Sequence, residues 1–141
     1  MDKELALIWE NLKQFGYFSP YIYLKSAGHK GLGVFAKTDI PQYSIIEYCH
    51  SFVLNNSIKD IQDVKLNQYV YTFDSNKRGI IPLGFGMMYN SADSQEEANA
   101  EYVTFEQQNL IIYKAKKNID KDAEILLWWG EDYYNYWIKN K

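Results

Sequence analysis

The sequence predicts a mainly β fold, and two observations support that prediction. Short runs of β-branched and aromatic residues recur along the chain between turn-forming residues, whereas helical periodicity is confined to short segments, chiefly near the two ends. The chain has 141 residues, of which 47% are hydrophobic and 23% charged, a normal composition for a globular protein with one core. Because no repeat or linker-like composition interrupts it, we expect a single domain.

The first predicted element is a short amphipathic helix. Apolar residues recur at spacings of three and four over residues 2–15, and Gly16 ends the pattern. Two strands follow at 21–24 and 33–36, joined by a loop that is rich in glycine. The amino-terminal part is therefore a helix followed by a pair of strands.

The middle of the chain predicts one long strand and one ambiguous segment. Apolar and aromatic residues between 45 and 53 follow Pro41, a residue that interrupts a strand ladder. The polar segment 55–67 fits either a helix or a loop, and Ser57 is the candidate helix cap.

Further strands are predicted in the carboxy-terminal half. They are a strand at 69–73, a turn at 74–79 before Ile80 and Ile81, a hairpin of 101–105 and 110–114, and a strand at 124–129. One or two helical turns are predicted at 132–139.

Charge and cysteine content exclude several function classes. The net charge is -3, and the largest basic cluster is the pair Lys116 and Lys117, which disfavours nucleic acid as a ligand. No apolar run is long enough to span a membrane, and the amino terminus does not resemble a signal peptide. A single cysteine, Cys49, permits no internal disulfide, so we expect an intracellular, cytoplasmic protein. His29 and His50 have no companions at metal-ligand spacing, so we expect no metal.

Aromatic residues make up 17% of the chain, which includes 13 Tyr and 4 Trp. Such a density has two interpretations, the filling of a small core or the lining of a binding site. Composition alone does not separate them.

Glycine-rich segments are the clearest motifs. Gly31 and Gly33 border an apolar strand, where missing side chains either allow a close backbone approach to a ligand or simply form a tight turn. The order of elements around them is not that of a dinucleotide-binding site. A second segment, 84–91, contains two glycines and ends in Asn90-Ser91.

An ordered set of motifs resembles the SET domain of protein lysine methyltransferases. In chain order they are Gly31-x-Gly33 with Val34-Phe35-Ala36 and Asp39-Ile40, Glu47-Tyr48, Gly86-x-x-Tyr89-Asn90, Asn99-x-x-Tyr102, and Glu124-Ile125-Leu126-Leu127 with Gly130. The resemblance covers residues 20–137. The compact length is similar to that of stand-alone microbial members, and Leu126-Leu127-Trp128 resembles the PR subclass.

The resemblance implies a β-clip-like fold of several small curved sheets with short helices. In such domains the last strand passes beneath the loop that carries the asparagine motif, which produces a knot-like crossing. We therefore expect an amino-terminal helix and lead-in at 1–19 and the SET-like domain at 20–141.

The resemblance also implies a function, an S-adenosylmethionine-dependent protein-lysine N-methyltransferase. Its partner would be a protein or peptide that carries the lysine, and the chain would act as a monomer or homodimer. By motif position, Tyr48 and Tyr102 would line the lysine channel and Trp129 would form its wall. The implied cofactor-binding residues are Gly31, Leu32, Gly33, Asn90, Ser91, and Tyr134 or Trp137 over the adenine.

Two departures from the family pattern bear on activity. Trp129 stands where the family has its catalytic tyrosine, and an indole offers one N–H donor and no acceptor. Ser91 stands where the family has histidine, next to Asn90. Two functions therefore stay open at this point, an active methyltransferase and a SET-like module that binds a peptide or cofactor without turnover.

Overall fold

The computed structural model of the chain describes residues 3, 5–7, 19–57, 61–72 and 78–138, without the side chains of 56, 57, 136 and 137. Most of the helix predicted at 2–15 lies outside these residues. Lys3 and residues 5–7 are helical, and Leu5 is buried.

The described residues form a mainly β fold, as predicted. The strands are β1 (Ile22–Ser26), β2 (Leu32–Ala36), β3 (Ile45–Ser57), β4 (Tyr71–Thr72), β5 (Arg78–Pro82), β6 (Asn90–Ser91), β7 (Ala100–Phe105), β8 (Leu110–Ala115) and β9 (Leu126–Leu127). The helices are short: α1 (Val64–Tyr69), α2 (Glu131–Tyr133), a π-helical turn at Tyr134–Ile138, and 3-10 turns at Gly28–Lys30 and Glu106–Gln108.

The strands form three small sheets. Strands β1 and β2 make an antiparallel hairpin, and β6 pairs with β9 in parallel. The largest sheet has the strand order β4-β5-β3-β8-β7. Its β7–β8 hairpin matches the predicted one and turns at Asn109, which adopts a left-handed conformation.

The two faces of the large sheet bury different side chains, because successive residues of a strand point to opposite faces. From β8, Ile111 and Tyr113 point into the main core, which also receives Ile46, Ile80 and Leu127 from other segments. The alternate residues of β8 form a second cluster with Leu5 on the other face. Burial of each such large apolar side chain contributes about 1.5–3 kcal/mol to stability.

Strand β9 lies between the two ends of segment 90–99. The carbonyl of Leu126 accepts a hydrogen bond from the Asn99 amide at 3.1 Å, and the carbonyl of Leu127 accepts one from the Ala92 amide at 2.7 Å. Successive carbonyls of an extended strand point in opposite directions, so the two ends lie on opposite sides of β9. This arrangement is the knot-like crossing that the resemblance implies.

Several element boundaries differ from the sequence predictions, most clearly those of the middle helix and the last strand. Within 55–67, the helix begins at Val64, and its cap is Asp63, whose carboxylate accepts from the Leu66 amide at 2.9 Å. Ser57, the predicted cap, belongs to β3 instead. The predicted last strand shortens to β9, because Glu124 pairs separately with Phe35 as an isolated bridge.

The described residues lack two kinds of feature. No helix in this part of the chain has the length and apolar character to cross a membrane. Likewise, no three His, Cys, Asp or Glu side chains within it gather closely enough to hold a metal ion.

Asn99→Ala tests the crossing. The Asn99 side chain donates to the Glu124 carbonyl at 2.9 Å and accepts from the Leu126 amide at 2.8 Å. Because the substitution leaves both partly buried backbone groups without these bonds, we expect the free energy of unfolding to fall by about 1–3 kcal/mol. Denaturant unfolding measures it. Asn118→Ala, which removes one exposed bond to the Gln42 amide, is the control, and an equal loss in both variants would contradict the assignment.

Candidate functional site

A cavity of about 260 Å³ lies beside the crossing of β9 and segment 90–99. Residues from five parts of the chain line it: His29, Lys30, Gln68, Tyr69, Tyr89, Asn90, Ser91, Ala92, Asp93, Glu97, Leu126, Tyr133 and Ile138. Its volume is close to the lower end of the range for small-molecule pockets, about 300 Å³. The fold therefore creates a ligand-sized space where the chain crosses itself.

The lining of the cavity is chemically mixed. Tyr69, Tyr89 and Tyr133 contribute aromatic rings, whereas Asp93 and Glu97 contribute carboxylates. The ammonium group of Lys30 also lines the cavity, and its Nζ forms an ion pair with the Glu124 carboxylate at 2.6 Å. With two carboxylates against one already paired ammonium, the lining favours a ligand that carries positive charge.

Asn90 is held in the cavity wall by a small polar network. Its side-chain amide donates to the Leu32 carbonyl at 3.1 Å and to the Glu124 carboxylate at 2.8 Å. The second carboxylate oxygen of Glu124 forms the ion pair with Lys30. This network connects β2, the 3-10 turn before it, and β6, so Asn90 has a fixed orientation.

Gly33 is required by the same network. A Cβ at this position would lie 2.5 Å from Glu124 Oε2 and 2.8 Å from Asn90 Nδ2, closer than real contacts allow. Gly31 has a different requirement, since its φ is +85°, a conformation that favours glycine. The local structure therefore explains why glycine occupies both positions of the motif, and neither glycine lines the cavity.

A cluster of aromatic rings adjoins the cavity. The Trp129 ring lies 4.6 Å from that of Tyr71, 5.3 Å from that of Tyr102 and 5.7 Å from that of Tyr133. Tyr71 and Tyr102 contact each other at 5.1 Å. We call Tyr71, Tyr102, Trp129 and Tyr133 the ring cluster. Because Tyr133 also lines the cavity, the two features share a wall.

Tyr71 is the innermost member of the ring cluster. Its hydroxyl donates to the Gly86 carbonyl at 2.7 Å, and the Tyr113 hydroxyl donates to the Tyr71 oxygen at 2.9 Å. Burial raises the pKa of both phenols well above the ordinary value, so both are neutral at physiological pH. The inner end of the cluster is therefore uncharged and fully hydrogen bonded.

The outer end of the ring cluster reaches the protein surface at β7, an edge strand of the large sheet. Tyr102 is 36% exposed. A shallow pocket of about 140 Å³ lies beside it, lined by Gln95, Ala100, Glu101, Tyr102, Lys116 and Trp128. Tyr102 thus separates a surface pocket from the interior rings.

The predicted cofactor residues take different places around the cavity. Asn90 and Ser91 line it, and Gly31, Leu32 and Gly33 lie in the chain directly after the lining residue Lys30. Tyr134 lies near the cavity residue Asp93, and partial desolvation together with the Asp93 carboxylate raises the pKa of the Tyr134 phenol. The side chain of Trp137 lies outside the described residues.

The expectation that Tyr48 and Tyr102 line one channel is wrong. Tyr48 pairs with Ile112 and packs on the second cluster with Leu110, whereas Tyr102 pairs with Tyr113 on the opposite face of the sheet. The period of a strand is two residues, so Glu47 and Cys49 take the inward positions of β3 beside Tyr48. A register shift between Ile45 and Glu47 sets which residues point inward, and the sequence does not reveal it.

The sequence patterns do not identify four residues around this site. They place Tyr71, Tyr89 and Tyr133 only in strand, motif or helix patterns, and Glu47 only in a motif. The alternation of side chains along the predicted strand 69–73 is a signal for Tyr71. It places Tyr71 on one face of that strand, and a tyrosine that faces the core is a candidate member of the ring cluster. No comparable signal marked Tyr133, because its place depends on the turn after Gly130, whose φ is +100°.

Gly33→Ala tests the network around Asn90. The added methyl would contact Glu124 and Asn90, so we expect the free energy of unfolding to fall by about 1–3 kcal/mol and the Asn90 side-chain amide resonances to shift. Gly28→Ala is the matched control. It strains a backbone with φ of +68° in open space, so it should lower stability without moving the Asn90 signals. Unchanged Asn90 signals in Gly33→Ala would contradict the network.

Comparison with known proteins gives one family. The SET domain family model matches residues 31–130. A solved structure of a putative histone methyltransferase from Plasmodium falciparum is similar with 31% sequence identity and a TM-score of 0.65, covering 81% of this chain and 96% of that one. A search of curated proteins found no match.

A second solved structure, of the SET8 protein from Cryptosporidium, is similar in fold. Its sequence identity is 17% and its TM-score 0.66, and the match covers 93% of this chain and 67% of that one. The mainly β fold of this chain is thus shared with both structures. The family model, the Plasmodium structure and the fold agree, and the chain belongs to the SET-domain family of methyltransferases.

Proposed function

We propose that the protein is an S-adenosylmethionine-dependent protein-lysine N-methyltransferase. Membership of the SET-domain family and similarity to a putative histone methyltransferase support this proposal. The observation that carries it is the wall shared by the cavity and the ring cluster at Tyr133. A methyl donor and an amine must meet at about 3–3.5 Å, which requires two adjoining sites of different character.

The lining of the cavity fits S-adenosylmethionine chemically. This cofactor carries a sulfonium cation, an amino-acid end and an adenine ring, and when bound it would supply an electrophilic methyl group. Asp93 and Glu97 suit its positive charges, and the rings of Tyr69 and Tyr133 suit the sulfonium and the adenine. Asn90 and Ser91 would hold polar groups of the amino-acid end.

The ring cluster suits the substrate amine. Lysine is protonated in water, and only its neutral amine is a nucleophile. Rings of low polarity disfavour the ammonium form and lower its pKa, and their faces also hold the cation before the proton leaves. Tyr102 lies at the surface end of the cluster, where its hydroxyl would orient the arriving amine. The partner would be a protein or peptide that presents lysine beside β7.

Trp129 has a defined role under this proposal. It contributes a wall and an N–H donor, and it cannot accept a proton or a hydrogen bond from the amine. The amine must therefore lose its proton to water before methyl transfer. We expect slow turnover as a result.

The packing of Trp129 favours a second candidate function. Ring centroids at 4.6–5.7 Å are in direct contact, so no side chain fits between Trp129 and Tyr71, Tyr102 or Tyr133 in this arrangement. A protein with this closed cluster would bind the cofactor or a peptide without methyl transfer. The two candidates differ in one observable, the formation of methylated product.

Radiolabelled methyl transfer to basic peptides and to a cell lysate tests the proposal. We expect label on lysine with the wild-type protein, and a rate at least about tenfold lower with Tyr102→Phe, which removes the hydroxyl that orients the amine. Tyr43→Phe is the control, since Tyr43 is 76% exposed and lies outside the ring cluster. Its rate should equal that of the wild type.

Trp129→Tyr separates the two candidates. If the wild-type protein binds the cofactor, gives no labelled product under any condition and Trp129→Tyr gives product, the non-catalytic function is correct and the proposed one is wrong. Trp129→Phe shows whether any gain in activity comes from the added hydroxyl or from the smaller side chain, because phenylalanine also opens space but adds no hydroxyl. Product from Trp129→Tyr alone would identify the hydroxyl as the missing group.

A further inference from the structure

Glu47 is a buried acidic residue that the proposed mechanism does not use. Only 4% of its surface is exposed, and it lies on the inward face of β3, opposite Tyr113 of β8. Among the described basic side chains, none forms an ion pair with it. A buried carboxyl without a cation is costly unless hydrogen bonds satisfy it, so its partners identify what it holds.

Two donors satisfy the Glu47 carboxyl. The Phe85 amide donates to Oε2 at 3.0 Å, and the Tyr89 hydroxyl donates to Oε1 at 2.8 Å. Both donors belong to one segment, the turn at 83–88 and the residue that follows it.

The turn lies directly against the carboxyl. Gly84 has a φ of +76°, and a Cβ there would lie 2.6 Å from Glu47 Oε2. One residue beyond Phe85, the Gly86 carbonyl accepts hydrogen bonds from the hydroxyls of Tyr71 and Tyr113. The turn is thus fastened to β3 through its amide and to β4 and β8 through its carbonyl.

Both parts of the site depend on this turn. Tyr89 lines the cavity and stacks on Tyr113 at 4.4 Å, and the next residue, Asn90, also lines the cavity. On the other side, Gly86 holds the hydroxyl of Tyr71, whose ring is the nearest neighbour of Trp129. A shift of the turn would therefore move the cavity wall and the ring cluster together.

We propose that Glu47 is a positioning residue of this site, which fixes the cavity wall by holding the Phe85 amide and the Tyr89 hydroxyl. Its effect on cofactor affinity rests on the proposed function. Its effect on the turn does not, since the two hydrogen bonds exist without a ligand and can be tested in their own right.

The pH dependence of stability follows from the burial of Glu47. Desolvation raises its pKa above the ordinary value, and the hydrogen bonds from Phe85 and Tyr89, together with the nearby Cys49 thiol, only partly oppose this. The titratable groups that face it are Cys49, Tyr71, Tyr89 and Tyr113, whose pKa values are all raised by burial, so they stay neutral at physiological pH. A carboxyl group whose pKa is higher in the folded than in the unfolded protein contributes its full stabilisation at pH values below the unfolded pKa. That stabilisation is lost as the pH rises through the folded pKa.

The melting temperature of the wild type relative to Glu47→Gln should therefore fall as pH rises from about 4 to about 8. The glutamine cannot titrate, and the other groups cancel in the comparison. Glu96→Gln is the control, since Glu96 is exposed, and its difference from wild type should not follow the same curve. A constant difference between wild type and Glu47→Gln would show that the carboxyl is not perturbed in the folded protein.

A double-mutant cycle tests the positioning role directly. S-adenosylmethionine affinity is measured by calorimetry for wild type, Glu47→Leu, Tyr89→Phe, the double variant and Glu96→Gln. Leucine has no acceptor for either donor, so Glu47→Leu and Tyr89→Phe both remove the bond between residues 47 and 89. Each single change should weaken binding about tenfold, and the double variant should bind no more weakly than the weaker-binding single variant. Glu96→Gln should bind as wild type.

Several outcomes would overturn the inference. Additive losses in the cycle, or unchanged affinity in Tyr89→Phe, would show that Glu47 does not act through Tyr89; the second outcome decides the matter even if Glu47→Leu fails to fold. A wild-type protein that binds no cofactor would instead contradict the proposed function. In that case hydrogen exchange decides the inference: the Phe85 amide should exchange about tenfold faster in Glu47→Leu, which has no acceptor at this position, than in wild type, and an equal rate would overturn it.

Discussion

The enclosure of β9 between the two ends of segment 90–99 is the constraint on which the rest of the site depends. The backbone bonds of Leu126 and Leu127 place Asn99 on one side of β9 and Ala92 on the other. Asn90 and Ser91 are therefore next to the residues that follow β9. The chain then turns at Gly130, which brings Tyr133 to the cavity and leaves Trp129 among the tyrosines.

Around this crossing the polar groups are organised in two layers. Lys30, Glu124 and Asn90 form a partly exposed network on one side of the cavity, where charge is balanced by an ion pair. Glu47 and the hydroxyls of the inner tyrosines form a buried network on the other side, where hydrogen bonds replace an ion pair. Such an environment suits a reaction in which a cationic donor must meet a neutral amine.

The sequence predicted the fold class, the β1–β2 and β7–β8 hairpins and the crossing, because these depend on local patterns or on motif order. The resemblance implies that Asn90 and Ser91 bind the cofactor; both line the cavity, and their cofactor role stays a prediction. The prediction from sequence failed at Tyr48, since a register shift in β3 decides which residues face inward, and such a shift leaves no pattern in one sequence. It also missed Tyr71 and Glu47, because their importance comes from long-range contacts with Gly86, Phe85 and Tyr89.

A crystal structure of the protein with S-adenosylhomocysteine, the product form of the cofactor, would show whether the cavity is a cofactor site that opens toward the ring cluster. We expect the ligand in the cavity beside Asn90 and Ser91, with its sulfur toward the shared wall at Tyr133. We also expect an open passage from that sulfur to the surface at Tyr102. A ligand bound elsewhere, or one bound in the cavity while Trp129 still closes every path to Tyr102, would contradict the catalytic account.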